Sequence, residues 1–208
     1  MFKIEFNKKK IDLEIDSAEL HLWSSHVLEN EKIGLFVNIQ TKGKNVEMFD
    51  DYEQENYEHF IQSRIYTEWL GIKIDNIKNK NFRTLENLVI NFDRSKEKKI
   101  TQGMIWNNES PGALYVDNHG LFEKAKIEFK YLEKGVFNVK LKGSAEYETP
   151  FEVETNIPLQ IILKAYGSRE TKEDVLAYFN EIFDENDFDI DWKYRDNDIF
   201  FKAKPKDR

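Results

Sequence analysis

The chain of 208 residues carries 31 Lys and Arg against 39 Asp and Glu, a formal net charge of −8, and has no cysteine. Charge of that sign repels nucleic-acid phosphates and anionic membrane surfaces, and the missing thiols exclude disulfides, thiolate nucleophiles and Cys-based zinc or iron–sulfur sites. With 40% hydrophobic residues, 16 Phe, 9 Tyr and 4 Trp, the sequence holds ample apolar area for a packed core.

The chain opens on alternation. Phe2, Ile4 and Phe6, then Ile11, Leu13 and Ile15, place apolar side chains on one strand face, joined by a polar turn over 7–10. Leu20 and Leu22 lead into Trp23, and Ile33, Leu35, Val37 and Ile39 follow a turn at Glu29-Asn30-Glu31. This pattern predicts an antiparallel meander with one solvated face. Over 50–70 the period changes: Tyr57, Ile61, Ile65 and Trp69 recur every four residues, which predicts a helix over the first part and a strand over the last.

Strands return at Leu88–Phe92, Ile100–Trp106, Leu114–Val116 and Ile127–Tyr131. Glu133-Lys134-Gly135 reads as a hairpin turn into Val136–Leu141, and Gly143-Ser144 as another turn before Phe151–Thr155. Pro150 and Pro158 bracket that last strand and point to an edge position. Near the C-terminus, Thr171 and Asp174 form a capping-box-like start. Val175, Leu176, Phe179, Ile182 and Phe183 then fall on one helical face, and two alternating strands follow around Trp192 and Phe201.

The fold class expected is α+β and β-dominated: an antiparallel sandwich-like or curved sheet with one internal helix and a C-terminal helix–hairpin unit. Residues 1–160 form the main body, within which 1–48 and 122–160 read as two similar meanders. Residues 161–208 form an α-β-β subdomain packed on it. The longest uninterrupted apolar run, Val175 to Phe179, is far short of a signal core or a membrane span, so cytoplasmic residence is expected. The richness in Lys, Asn, Ile and Phe suggests a bacterial, AT-rich coding bias.

No segment carries a catalytic, metal or nucleotide motif, and no cofactor is implied. Three groups are candidates all the same. On a helix, Glu55, Glu58 and His59 share a face and offer divalent-metal chemistry, the basis of a metal-dependent hydrolase reading; the same carboxylates also suit a solvated helix start. Asp184, Asp187, Asp189 and Asp191 lack the glycine and closing Glu of a calcium loop. Beside Trp192 and Tyr194 they form a negative patch suited to a basic protein partner. Trp106, Asn107 and Asn108 open a Pro-Gly-containing loop of the kind that binds small ligands. His21 and His26 point to opposite strand faces, His119 sits in an Asn-His-Gly turn, and Ser24-Ser25-His26 lacks the strand–turn–helix elbow of a nucleophile. Elimination and charge together favour a non-enzymatic binding protein, in its most concrete form an acidic immunity or antitoxin-type inhibitor of a basic toxin domain.

Overall fold

The computed structural model describes residues 1–24, 32–50, 52–67, 70–77, 80–95, 104–106, 110–146, 149–166, 170–195 and 198–206. β1 (Phe2–Phe6) and β2 (Lys9–Leu13) form a hairpin in which Asn7 and Lys8 take positive φ, 47° and 63°, a backbone whose twist suits paired strands. β3 (Ile15–Ser24) and β4 (Lys32–Thr41) pair antiparallel, with buried Leu20 and Leu22 opposite buried Val37 and Leu35. β5 (Lys44–Asp50) and β6 (Glu55–Ile61) make a two-stranded sheet of their own. β7 (Ser63–Thr67), β8 (Leu70–Lys73), β9 (Val89–Asp93), β10 (Met104–Trp106) and β11 (Gly112–Val116) are short. Three long strands follow: β12 (Asn118–Tyr131), β13 (Val136–Ala145) and β14 (Thr149–Tyr166). The helix α1 (Lys172–Ile182) precedes the antiparallel pair β15 (Phe188–Arg195) and β16 (Asp198–Pro205).

Among the described residues, every strand but β5 and β6 belongs to one mixed sheet of 14 strands. Its pairings run β3–β4–β7–β11–β12–β13–β14, and β14 then pairs with β3, parallel, from Leu159↔Leu20 to Leu163↔Ser24. Hydrogen bonding therefore returns to the strand from which it set out. Two long strands make this possible by changing partners along their length. β12 pairs with β11 up to Leu121 and with β9 and β13 beyond it, and a register shift between Phe122 and Lys124 marks the change. Gly143 lies beside this irregularity. A Cβ there would collide with the Lys124 carbonyl oxygen, so only glycine lets β13 come this close.

One hydrophobic cluster runs from Phe2 to Ala203 and takes in side chains from both the sheet and α1. Thr171 and Asp174 cap α1 reciprocally, and the hydrogen bonds from Thr171 hold the Asp174 carboxyl below its usual range. The helix buries Val175, Tyr178, Phe179 and Ile182. Phe179 meets Phe201, Phe188 and Phe183 at ring separations of 4.8, 5.3 and 5.5 Å, so aromatic packing fastens the helix to the sheet. No helix among the described residues is long and apolar enough to cross a membrane.

Several expectations are corrected. The internal helix within 50–70 is replaced by β6 and β7. A spacing of four residues is even, so Tyr57, Ile61 and Ile65 keep one face in a strand as well as in a helix, and the aromatic and β-branched content decides for strand. β14 is central rather than an edge. The Leu159 N–H donates to the carbonyl of Gly135, the turn residue just before β13, so the nitrogen of neighbouring Pro158 faces away from β13, and by alternation so does that of Pro150. On that far side β1 pairs with only 151–153 and β3 with 159–163, which leaves both prolines at the ends of partner strands. Gly143 and Ser144 lie within β13 and form no turn. The boundary drawn after residue 160 falls inside β14, and β16 pairs directly with Ile161–Tyr166. In the first half, β2 pairs with β1 and β3 with β4 and β14, so residues 1–48 are not a continuous meander, whereas β12–β13–β14 is one.

Candidate functional site

The ribbon of β5 and β6 concentrates what a binding surface needs. Its two faces differ. Val46, Met48 and Ile61 point into the core, and His59 shares their face. The His59 Nε2 lies 2.6 Å from the Asp117 carboxylate at the β11–β12 turn, and its ring stacks on Phe6 at 5.9 Å. On the opposite face the register places Asn45 across from Phe60, Glu47 from Glu58 and Phe49 from Asn56. Two carboxylates thus stand directly opposed between exposed phenylalanines, an arrangement costing about 0.2–1 kcal/mol in a strand pair. Lys9 reaches β5 but donates to the Glu47 main-chain carbonyl. The Glu58 carboxylate accepts from Asn45 Nδ2 at 3.4 Å, and neither carboxylate has an ion-pair partner among the described residues.

Strand geometry also dissolves the expected metal triad. Glu55 and His59 are four apart and share a face, while Glu58 projects from the other. His59 is engaged by Asp117, and among the described residues no three His, Asp or Glu side chains gather as a metal would require.

The C-terminal acidic residues behave differently. Asp184 accepts from the Asn186 main chain at 3.0 Å and its side chain at 2.9 Å, capping a single 3-10 turn. Asp187 is held through its backbone, its N–H donating to Asp184 and its carbonyl accepting from the Lys206 N–H. Asp189 and Asp191 are exposed on β15, where the register sets them opposite Lys204 and Lys202, and Lys193 lies 3.8 Å from Asp191. Trp192 packs edge-on to Phe201 at 4.9 Å with the Lys172 ammonium over its ring, while Tyr194 stays 65% exposed. Residues 184–206 hold seven carboxylates against five Lys and Arg, whereas residues 44–61 hold six against one Lys. The acidic character survives on the ribbon and is largely cancelled at the C-terminus.

Trp106 ends β10 opposite Leu70 on β8. Asn107 and Asn108 lie outside the described residues, as does His26. Beyond them, the buried Ser110 hydroxyl donates to the Gly112 carbonyl at 2.7 Å and steadies the entry to β11.

One feature escapes any reading of the sequence. Across four strands, Asn38 Nδ2 donates to Glu19 at 3.2 Å, and Arg64 Nε donates to Asn38 Oδ1 at 2.7 Å. The guanidinium lies 5.0 Å over Tyr66, whose hydroxyl meets His119 Nε2 at 2.8 Å. Apart from Arg64 and Tyr66, neighbours on β7, these residues are far apart in the chain and only the register joins them. The row lies on the outer face of the sheet. Nearby, Glu146 is held below the usual carboxylate range by Arg94 at 2.6 Å and the Leu121 N–H at 3.1 Å. His21 is lowered chiefly by burial, with Lys202 adding to the effect and Glu19 opposing it. A small, partly open void of about 10 Å³ between Leu22, Ile72, Phe82, Leu85, Leu88 and Phe183 is apolar. An open trough by Met1, Lys3, Asn138, Glu152 and Asn156 is lined with mixed charges.

Comparison with protein-family models, with curated proteins and with solved structures finds no match for this chain.

Proposed function

We propose that this chain is a non-enzymatic cytosolic binding protein whose acidic, aromatic-bearing surface takes a basic protein domain, in the manner of an immunity or antitoxin-type inhibitor. The body serves as a sandwich-like scaffold, stiffened by the C-terminal helix and hairpin, from which the ribbon projects its side chains. One observation carries the reading. Of the nine exposed large hydrophobic side chains among the described residues, four (Phe49, Tyr52, Tyr57 and Phe60) fall on the ribbon, where residues 44–61 carry six carboxylates against one Lys. Aromatic anchors within a field of one sign are the composition of an electrostatically steered interface.

The test is reciprocal. Cytosol passed over the immobilised chain at low salt should yield one basic protein that elutes as salt rises, and that protein's own activity should fall to nothing at one equivalent of this chain. Retention of acidic proteins only, elution independent of salt, or an undiminished activity in the complex would each remove the reading. Neutralising Asp184, Asp187, Asp189 and Asp191 together locates the surface: their loss weakens the complex little if the ribbon dominates, and greatly if the C-terminal patch does.

A further inference from the structure

We infer that the outer face of the β5–β6 ribbon is the docking surface and that it receives an arginine side chain of the partner between Glu47 and Glu58. This rests on the reading of the chain as a binder of basic proteins and adds where it binds and what chemical group it grips.

The register fixes the layout as a grid: Asn45 and Phe60, then Glu47 and Glu58, then Phe49 and Asn56. The carboxylates occupy the middle row, and a phenylalanine stands diagonally on either side, 53% exposed at Phe49 and 60% at Phe60. Paired carboxylates set apart by a strand spacing accept the divergent N–H groups of a guanidinium, and aromatic faces stack on its plane. An ammonium, a compact and strongly hydrated point charge, uses neither property as well. The Phe60 ring lies over Gly43, on the side of Asn45 away from the carboxylates, so Phe49 is the aromatic available to a group held by the pair. The underside of the ribbon is pinned by buried Val46, Met48 and Ile61 and by the His59–Asp117 contact, so the grid is presented on a supported element.

The occupant follows from charge. A second copy of this chain would bring six carboxylates and one lysine against the same set, and nucleic acid or an anionic membrane would bring phosphates. Only a cationic group gains at the Glu47–Glu58 pair, which faces solvent with like charges opposed.

The probe is a short blocked peptide with one central arginine flanked by threonines, together with its lysine and citrulline counterparts. Each is titrated into the isotopically labelled full chain and followed by amide chemical shifts. Saturable shifts centred on residues 45–60 are expected, with affinity several-fold higher for arginine than for lysine and higher again than for citrulline. They should vanish in Glu47→Gln/Glu58→Gln without any fall in melting temperature, and weaken in Phe49→Ala. Arginine-specific shifts confined to β15 and β16 would overturn the ribbon site while leaving the general reading in place. Equal weak shifts from all three peptides, at no defined surface, would overturn both. Sedimentation showing that the free chain dimerises through residues 45–60 would assign the face to a second copy and overturn the arginine proposal.

Discussion

Glu58→Lys is the sharpest perturbation of the ribbon, because it should strengthen the fold while destroying the surface. In the native protein Glu58 stands across from Glu47 on the solvent face. Like charges in that relation destabilise, and opposite charges stabilise, by about 0.2–1 kcal/mol each. The substitution removes the first and installs the second, less a weak 3.4 Å hydrogen bond from Asn45. Exposure discounts the sum, which leaves a gain of about 1 kcal/mol. For a chain of this size that is a rise of about 2–4 °C in melting temperature. The rise propagates to the global transition because Val46, Met48 and Ile61 belong to the common core. Calorimetry at low ionic strength, and again at about 1 M salt where the Debye length is about 3 Å, separates charge from packing. The gain should largely disappear in high salt, and Glu47→Lys/Glu58→Lys should return to the native value or below it. A lower melting temperature for Glu58→Lys, or a gain that persists in high salt, would refute the cross-strand repulsion on which the docking argument depends.

Three further outcomes follow from the packing and titration of the fold. Phe179→Ala, which leaves the rings of Phe201, Phe188 and Phe183 facing a cavity, should cost about 3–5 kcal/mol in denaturant unfolding, and a loss under 1 kcal/mol would show that α1 is not fastened through this ring. Gly143→Ala should cost about 1–3 kcal/mol, because the obstructing atom is the Lys124 carbonyl and not a side chain able to swing aside; a neutral result would mean that the β12 irregularity relaxes freely. Burial pushes the Tyr178 phenol up to about 12, so the folded state holds its proton where the unfolded chain, near 10, gives it up. Stability from this group is complete below pH 10 and is lost as pH rises toward 12. Tyr178→Phe should flatten that alkaline decline, measured by urea midpoints across the interval, and an unchanged slope would place its origin elsewhere.

The sequence by itself determined the local decisions. Alternation over Phe2–Leu13 and Ile33–Ile39, and the reciprocal cap of Thr171 and Asp174, each depend on residues within one element or its turn, and the structure keeps them. It also determined that charge clusters near residues 50–58. What it left open was the element carrying that cluster, since apolar side chains four apart satisfy strand and helix alike. Only the tertiary structure made it a ribbon, which put Glu58 opposite Glu47 and away from Glu55 and His59. Only the tertiary structure, too, set Asp189 and Asp191 against Lys204 and Lys202, and so cancelled a patch that looks uniformly negative along the chain. The row from Glu19 to His119 and the pairing of β14 with β3 belong to the same class. The physical reason is common to all of them: a strand's neighbours are chosen by register across the sheet, and register brings together residues with no relation along the chain.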